Sequence, residues 1–270
     1  SDWEKFASYA FNKSHATCYS WVAYQTAYMK AHYPAEYMAA LMTRRFSQIT
    51  EITKLMEECK ALKIATLGPD VNESQIGFGV NKHGEIRFGL SAIKGMGASA
   101  AESIVRERME NGPYKDIYDF AERVDLSNVN RKAFESLAYS GGFDSFGLQR
   151  EQYFAVTGKG DLFLDTIVRY GQLFQAEKAQ QQNSLFGGMD AIDVVHPIAP
   201  KAEKWPVIEK LNKERELVGI YLSAHPLDEY SVVLNNMCNT RCSMIGRNAN
   251  MTELAKADEV TFGGIVTSVN

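Results

Sequence analysis

The sequence is poor in the residues that build covalent or metal frameworks. Four cysteines and five histidines are spread over 270 residues, too few and too scattered for a disulfide scaffold. Cys238 and Cys242 have three residues between them, but no second Cys or His pair stands near to complete a zinc site. No apolar run approaches the roughly 18 residues that a membrane span needs. The opening Ser1, Asp2, Trp3, Glu4 and Lys5 lack the basic-then-apolar order of a secretion signal, so the expected location is the cytoplasm. Positive charge is also short: 29 Lys and Arg stand against 33 Asp and Glu, a net charge of −4. Nucleic-acid binders ordinarily carry a basic excess, so any contact with phosphate here must come from local geometry. No nucleophile–base constellation supports a small-molecule enzyme.

What is present is a mainly α pattern with a little β structure. Pro34 sits where a first helical turn tolerates it, followed by Tyr37, Met38, Leu41 and Met42 at helical spacing. A second helix carries Ile49, Ile52, Leu55, Cys59 and Leu62 on one stripe and stops before Gly68 and Pro69. Two short strand-like runs, 76–80 and 85–88, flank Asn81, Lys82, His83 and Gly84, a hairpin turn. Residues 90–146 return to short helices punctuated by glycine, and a further helix is expected after Arg150. The Gln-rich stretch 180–183 opens a weakly patterned tract reaching about Pro200. Residues 204–217 read as one more helix. The stretch 260–269 has strand composition with Gly263 and Gly264 inside it.

The most specific local signal lies between Leu90 and Val105. Gly95 and Gly97 sit two apart, Ile93 precedes them, and Ala101, Ile104 and Val105 follow at the spacing of a helix-hairpin-helix motif. Glycine permits a tight turn of positive φ and leaves no side chain in the way. Backbone N–H groups of that turn and of the helix starting near Ala98 can then face a phosphate oxygen. Ala101 is small where two short helices approach, and Lys94 adds one charge. Lys94, Gly95, Met96, Gly97, Ala98 and Ser99 are therefore the candidate DNA contacts. An isolated Gly-x-Gly is usually only a turn; here the flanking aliphatics favour phosphate binding. A degenerate second copy is read from Val129 through Ala133, Phe134, Leu137, Ala138, Gly141 and Gly142 to Asp144. Such a pair packs as one unit and grips phosphates across the minor groove without reading bases, with a purely structural role as the alternative for the second copy. Between Asn81 and Arg150 ten Lys and Arg are matched by ten Asp and Glu, so even this segment is neutral.

Several longer strings carry a resemblance. Asn12-Lys13-Ser14-His15, then Ala23-Tyr24-Gln25-Thr26-Ala27, Lys30-Ala31-His32-Tyr33-Pro34, Pro69-Asp70-Val71-Asn72-Glu73-Ser74 and Ile220-Tyr221-Leu222-Ser223-Ala224-His225-Pro226-Leu227 occur in order along the chain. Together they resemble the bacterial C-family replicative polymerases, the DNA polymerase III alpha subunits, over nearly the whole length. The resemblance implies the C-terminal part of the fingers over 1–68, a tandem helix-hairpin-helix domain over 69–176, a flexible clamp-binding segment over 177–203, a helical connector over 204–257 and the first strand of an OB-fold over 258–270. Fingers of this family close on the incoming nucleotide, which makes Lys13, Ser14, His15 and Tyr19 candidates for contact with a deoxynucleoside triphosphate. A cation, a hydroxyl and an imidazole suit a polyanion, and Tyr19 suits stacking; capping and packing of the helix start is the competing role for His15 and Tyr19.

Family catalysis is nucleotidyl transfer with Mg²⁺ held by palm carboxylates. No palm sequence is found, so no catalytic residue, resident cofactor or metal ligand is assigned and the chain is expected to be inactive alone. Pairs such as Asp116 and Asp119 read as solvated helix faces. Gln182, Leu185 and Phe186 resemble the short peptide that family members insert into the sliding clamp, a Gln amide with two apolar side chains for a pocket. The alternative from another class is a freestanding helix-hairpin-helix adaptor of repair or competence machinery.

Overall fold

The computed structural model describes residues 13–183, 195–240 and 259–266, together with Trp3. Among these, ten α-helices surround one small sheet, the mainly α architecture that the periodicity indicates.

Helix α1 (Lys13–His32) buries none of its residues. Pro34 then forces a break, because proline has no N–H to continue the ladder, and occupies the first turn of α2 (Pro34–Arg45). Ala35, Met38, Ala39 and Met42 recur at helical spacing and are buried. They face Ile52 and Cys59 of α3 (Ile49–Ala61) in a core that also takes in Phe78, Ile86 and Phe88. Ile86 belongs to the sheet, and Phe78 and Phe88 flank its strands. Strands β1 (Thr66–Leu67), β2 (Gly79–Val80) and β3 (Ile86–Arg87) lie in the order β1-β3-β2. The hairpin expected from sequence is β2–β3, antiparallel. Asn81 closes it by accepting the N–H groups of His83 and Glu85 on its side-chain oxygen. Strand β1 pairs parallel to β3; two residues are too short to show alternation in sequence.

A second, larger core takes in Val71, a 3₁₀ turn (Leu90–Ala92), α4 (Ala98–Asn111), α5 (Ile117–Arg123), α6 (Arg131–Ser140), α7 (Arg150–Tyr153) and α8 (Phe163–Asn183). Phe120 is fully buried and meets Tyr114, Phe134 and Phe143 edge-on at 4.9, 5.2 and 5.1 Å, the arrangement that ring quadrupoles favour. Helix α9 (Val207–Val218) packs on α6, and α10 (Ser231–Met237) follows after residue 230.

Three details depart from the sequence reading. The helix after Arg150 is a single turn held by a reciprocal cap between Gln149 and Gln152, and the long helix starts only at Phe163. That helix runs to Asn183, through residues 180–183 that composition assigned to a weakly patterned tract; polar residues extend a helix readily once packing has nucleated it. Among the described residues, 259–266 form no strand: the carbonyl of Thr261 accepts the N–H groups of Asn239 and Thr240, and no ladder develops there. Residues 267–269 of the expected strand lie outside the described residues.

Candidate nucleic-acid interface

The first hairpin is built on a β-turn. Met96 donates its N–H to the carbonyl of Ile93 at 3.0 Å, and Gly95, third in that turn, has φ +89, a region glycine enters without strain. Gly97 has an ordinary φ of −72, so only one of the two glycines is required by conformation. Gly97 serves instead by leaving open space at the mouth of α4: a Cβ there would meet nothing nearer than Ser99 Oγ at 3.8 Å.

Helix α4 starts directly after it. No side chain caps its N-terminus, and its first turn holds no acidic residue. Free first-turn N–H groups with a positive helix end form a site for an anion. Lys94, Ser99, Ala98 and both glycines are exposed there, whereas Met96 is buried and anchors the turn rather than facing a ligand. Ile93, Ala101, Ile104 and Val105 are all buried in the shared core, as their spacing required.

Neighbouring elements fix the hairpin from behind. Lys94 donates its N–H to the carbonyl of Leu217, next to the end of α9, at 2.9 Å. Its own carbonyl accepts the Ser136 hydroxyl of α6 at 3.0 Å. Helix α9 is held in turn by a buried pair. Arg150, 4 % exposed, donates to Glu214 Oε2 at 3.0 Å, and that carboxylate is 1 % exposed. Asp144 and the carbonyl of Tyr139 take further guanidinium hydrogens. Glu214 Oε1 accepts the N–H groups of Leu222 and Ser223. Gly141 has φ +88, and a Cβ there would stand 2.1 Å from Arg150 Nη2. These residues escaped the sequence reading, because nothing local joins Arg150 to Glu214.

The second copy is displaced from where the sequence placed it. Its hairpin is residues 124–130, between α5 and α6, and Gly141–Gly142 merely end α6. This hairpin contains no glycine. Its helix start is already satisfied: Asn130 accepts the N–H of Ala133 on its side-chain oxygen. Asp125 accepts from the hydroxyl and N–H of Ser127 and the amide of Asn128. The Ser127 hydroxyl first, then these N–H groups, hold the Asp125 carboxyl below the usual carboxylate range. A negative charge stands where a second phosphate would come.

The other candidates lie apart. Lys13, Ser14, His15 and Tyr19 share the first turns of α1, all exposed, with the His15 and Tyr19 rings 4.3 Å apart. Gln182 belongs to the last turn of α8, a helical backbone within the segment expected to be flexible. Leu185 and Phe186 lie outside the described residues. Among the described residues no group of three His, Cys, Asp or Glu is placed to hold a metal ion. No helix there is long and apolar enough to cross a membrane.

Comparison with known proteins agrees with this geometry. The family described as helix-hairpin-helix motif matches residues 63–153. DNA polymerase III subunit alpha of Xylella fastidiosa is 35% identical over 269 residues, 98% of this chain and 22% of that protein. The Haemophilus influenzae protein of the same name is 39% identical over 250 residues, covering 91% of this chain and 21% of its own length. That of Chlamydia trachomatis is 40% identical over 230 residues, 83% and 18% of the two. The chain thus spans about a fifth of the length of the curated relatives it matches. Identity at this level over 91–98% of the chain, with the helix-hairpin-helix match, makes the chain a member of the DNA polymerase III alpha-subunit family.

Proposed function

We propose that this chain is the part of a replicative polymerase that grips duplex DNA behind the site of synthesis and tethers the sliding clamp. The observation that carries the DNA contact is the open N-terminus of α4, uncapped and free of acid, beside Gly95 and Lys94. Phosphate is recognised there by backbone, so the grip is independent of sequence. With a net charge of −4 it is also weak and salt-sensitive. Lys13, Ser14, His15 and Tyr19, exposed on α1, are the nucleotide-facing residues of this reading. Nucleotidyl transfer with Mg²⁺ belongs to the whole enzyme, and no step of it is assigned to these residues.

The test is fluorescence anisotropy with a short duplex across a range of salt. Gly95→Val with Gly97→Val forces a side chain into positive φ and fills the mouth of α4. Binding should weaken by about tenfold or more, the loss of one to two charge-assisted hydrogen bonds. Unchanged affinity would remove the hairpin from the interface. For the clamp, the measurement is calorimetry against the purified clamp protein: Leu185→Ala with Phe186→Ala should abolish the heat of binding, since two apolar anchors carry most of such a contact. Full binding by that variant discards the peptide.

A further inference from the structure

The tandem motif offers one anion site rather than two, and both copies build it. We infer that Lys132, on the helix of the second copy, is a phosphate-binding residue of the first hairpin; the inference rests on the reading of that hairpin as a DNA contact. Lys132 lies in the first turn of α6, yet its side chain runs over the neighbouring turn. Its Cε and Cγ lie 3.3 and 3.7 Å from the point where a Cβ on Gly95 would stand. One turn along α6, Ser136 bonds to the Lys94 carbonyl, so the stem of Lys132 is held against the hairpin by a fixed helix. Both Lys94 and Lys132 are exposed, and neither takes part in the ion pairs recorded among the described residues. Arg131 beside it is engaged with Glu135 and Asp165. The cation left available on α6 is therefore the one that leans across to the other copy.

The second hairpin has no use for a lysine of its own. Its helix start is capped by Asn130, and its turn holds the ionised Asp125. A phosphate arriving there would displace a cap and meet a like charge. At the first hairpin it meets open N–H groups, Lys94 and Lys132 together. The absence of a side chain at Gly95 thus has a second role: it gives the Lys132 stem its path.

The experiment uses the full chain with the same duplex, following affinity and its salt dependence. Lys132→Ala should weaken binding several-fold and flatten the slope of log affinity against log salt by about 0.9, the release of one counterion. Lys132→Arg should keep the slope, and Lys94→Ala should match Lys132→Ala. Thermal unfolding of each variant should stay at the parent value, since both side chains are exposed. Lys132→Ala with parent affinity and slope, while Lys94→Ala weakens binding, overturns the shared site and leaves the hairpin standing. Parent binding by Lys94→Ala, Lys132→Ala and the double glycine variant overturns both readings. A loss of slope on Asp125→Asn or Asn130→Ala equal to that of Lys132→Ala would show a second phosphate at the second hairpin and also overturn the single site.

Discussion

At the scale of single residues, burial decides which groups react. Cys59 is wholly buried between α2 and α3, and its burial pushes the thiol up to about 11. Its folded value is thus raised above the usual thiol near about 8.5. The native state keeps the proton, so this contribution to stability is complete below that ordinary value and erodes as pH climbs towards 11. Cys18 on α1 is exposed. Iodoacetamide at pH 8 should therefore modify Cys18 while leaving Cys59 intact in the native protein, as read by peptide mass analysis; equal labelling contradicts the packing of α3. The sequence already showed Cys59 on the apolar stripe of its helix. It also showed Gly95 and Gly97, but their different conformations were hidden, because a Gly-x-Gly string does not reveal which φ is positive.

At the scale of elements, local signals were legible and distant ones were not. Helices α2, α3 and α9 and the β2–β3 hairpin follow from periodicity and turn chemistry, since each depends on residues close in sequence. The fit of α9 against the first hairpin could not be read, as it rests on pairings between Arg150 and Glu214 and between Lys94 and Leu217. The second copy was misplaced for a related reason: its turn is made by Asp125 and Asn130 side chains rather than by glycine. Removing Arg150 leaves the Glu214 carboxylate buried without its cation, whereas Asp144 would still compensate Arg150 if Glu214 were removed. Arg150→Met should lower stability by about 3–5 kcal/mol, measured by urea unfolding. Replacing both partners, Arg150→Met with Glu214→Leu, should restore most of the loss. A double variant no better than the single one would mean that the carboxylate acts mainly through Leu222 and Ser223.

At the scale of the whole molecule, the two cores meet at residues 217–222. Leu217 packs against both, while Val218, Ile220 and Leu222 join the core of α2, α3 and the sheet. The stretch matched as a helix-hairpin-helix motif ends at residue 153, before any of these. A piece cut to 63–153 would carry Arg150 without Glu214 and the Lys94 N–H without its acceptor. It should unfold at markedly lower temperature than 63–222, and a calorimetric scan of the two pieces decides this. The shared motif and the packed cores therefore end at different residues.

Helix α1 has a different relation to that unit. It exposes Tyr19, Trp21, Tyr24 and Tyr28 and buries nothing, and Lys30 pairs with Glu58 near its C-terminal end. Fraying of its first four turns hides and reveals almost no apolar surface, so denaturant has little purchase on it. Its melting is then set by intrinsic helix propensity rather than by the cooperative transition of either core. On warming, helical signal from α1 should drain away gradually below the main transition, leaving the hairpin and its brace intact.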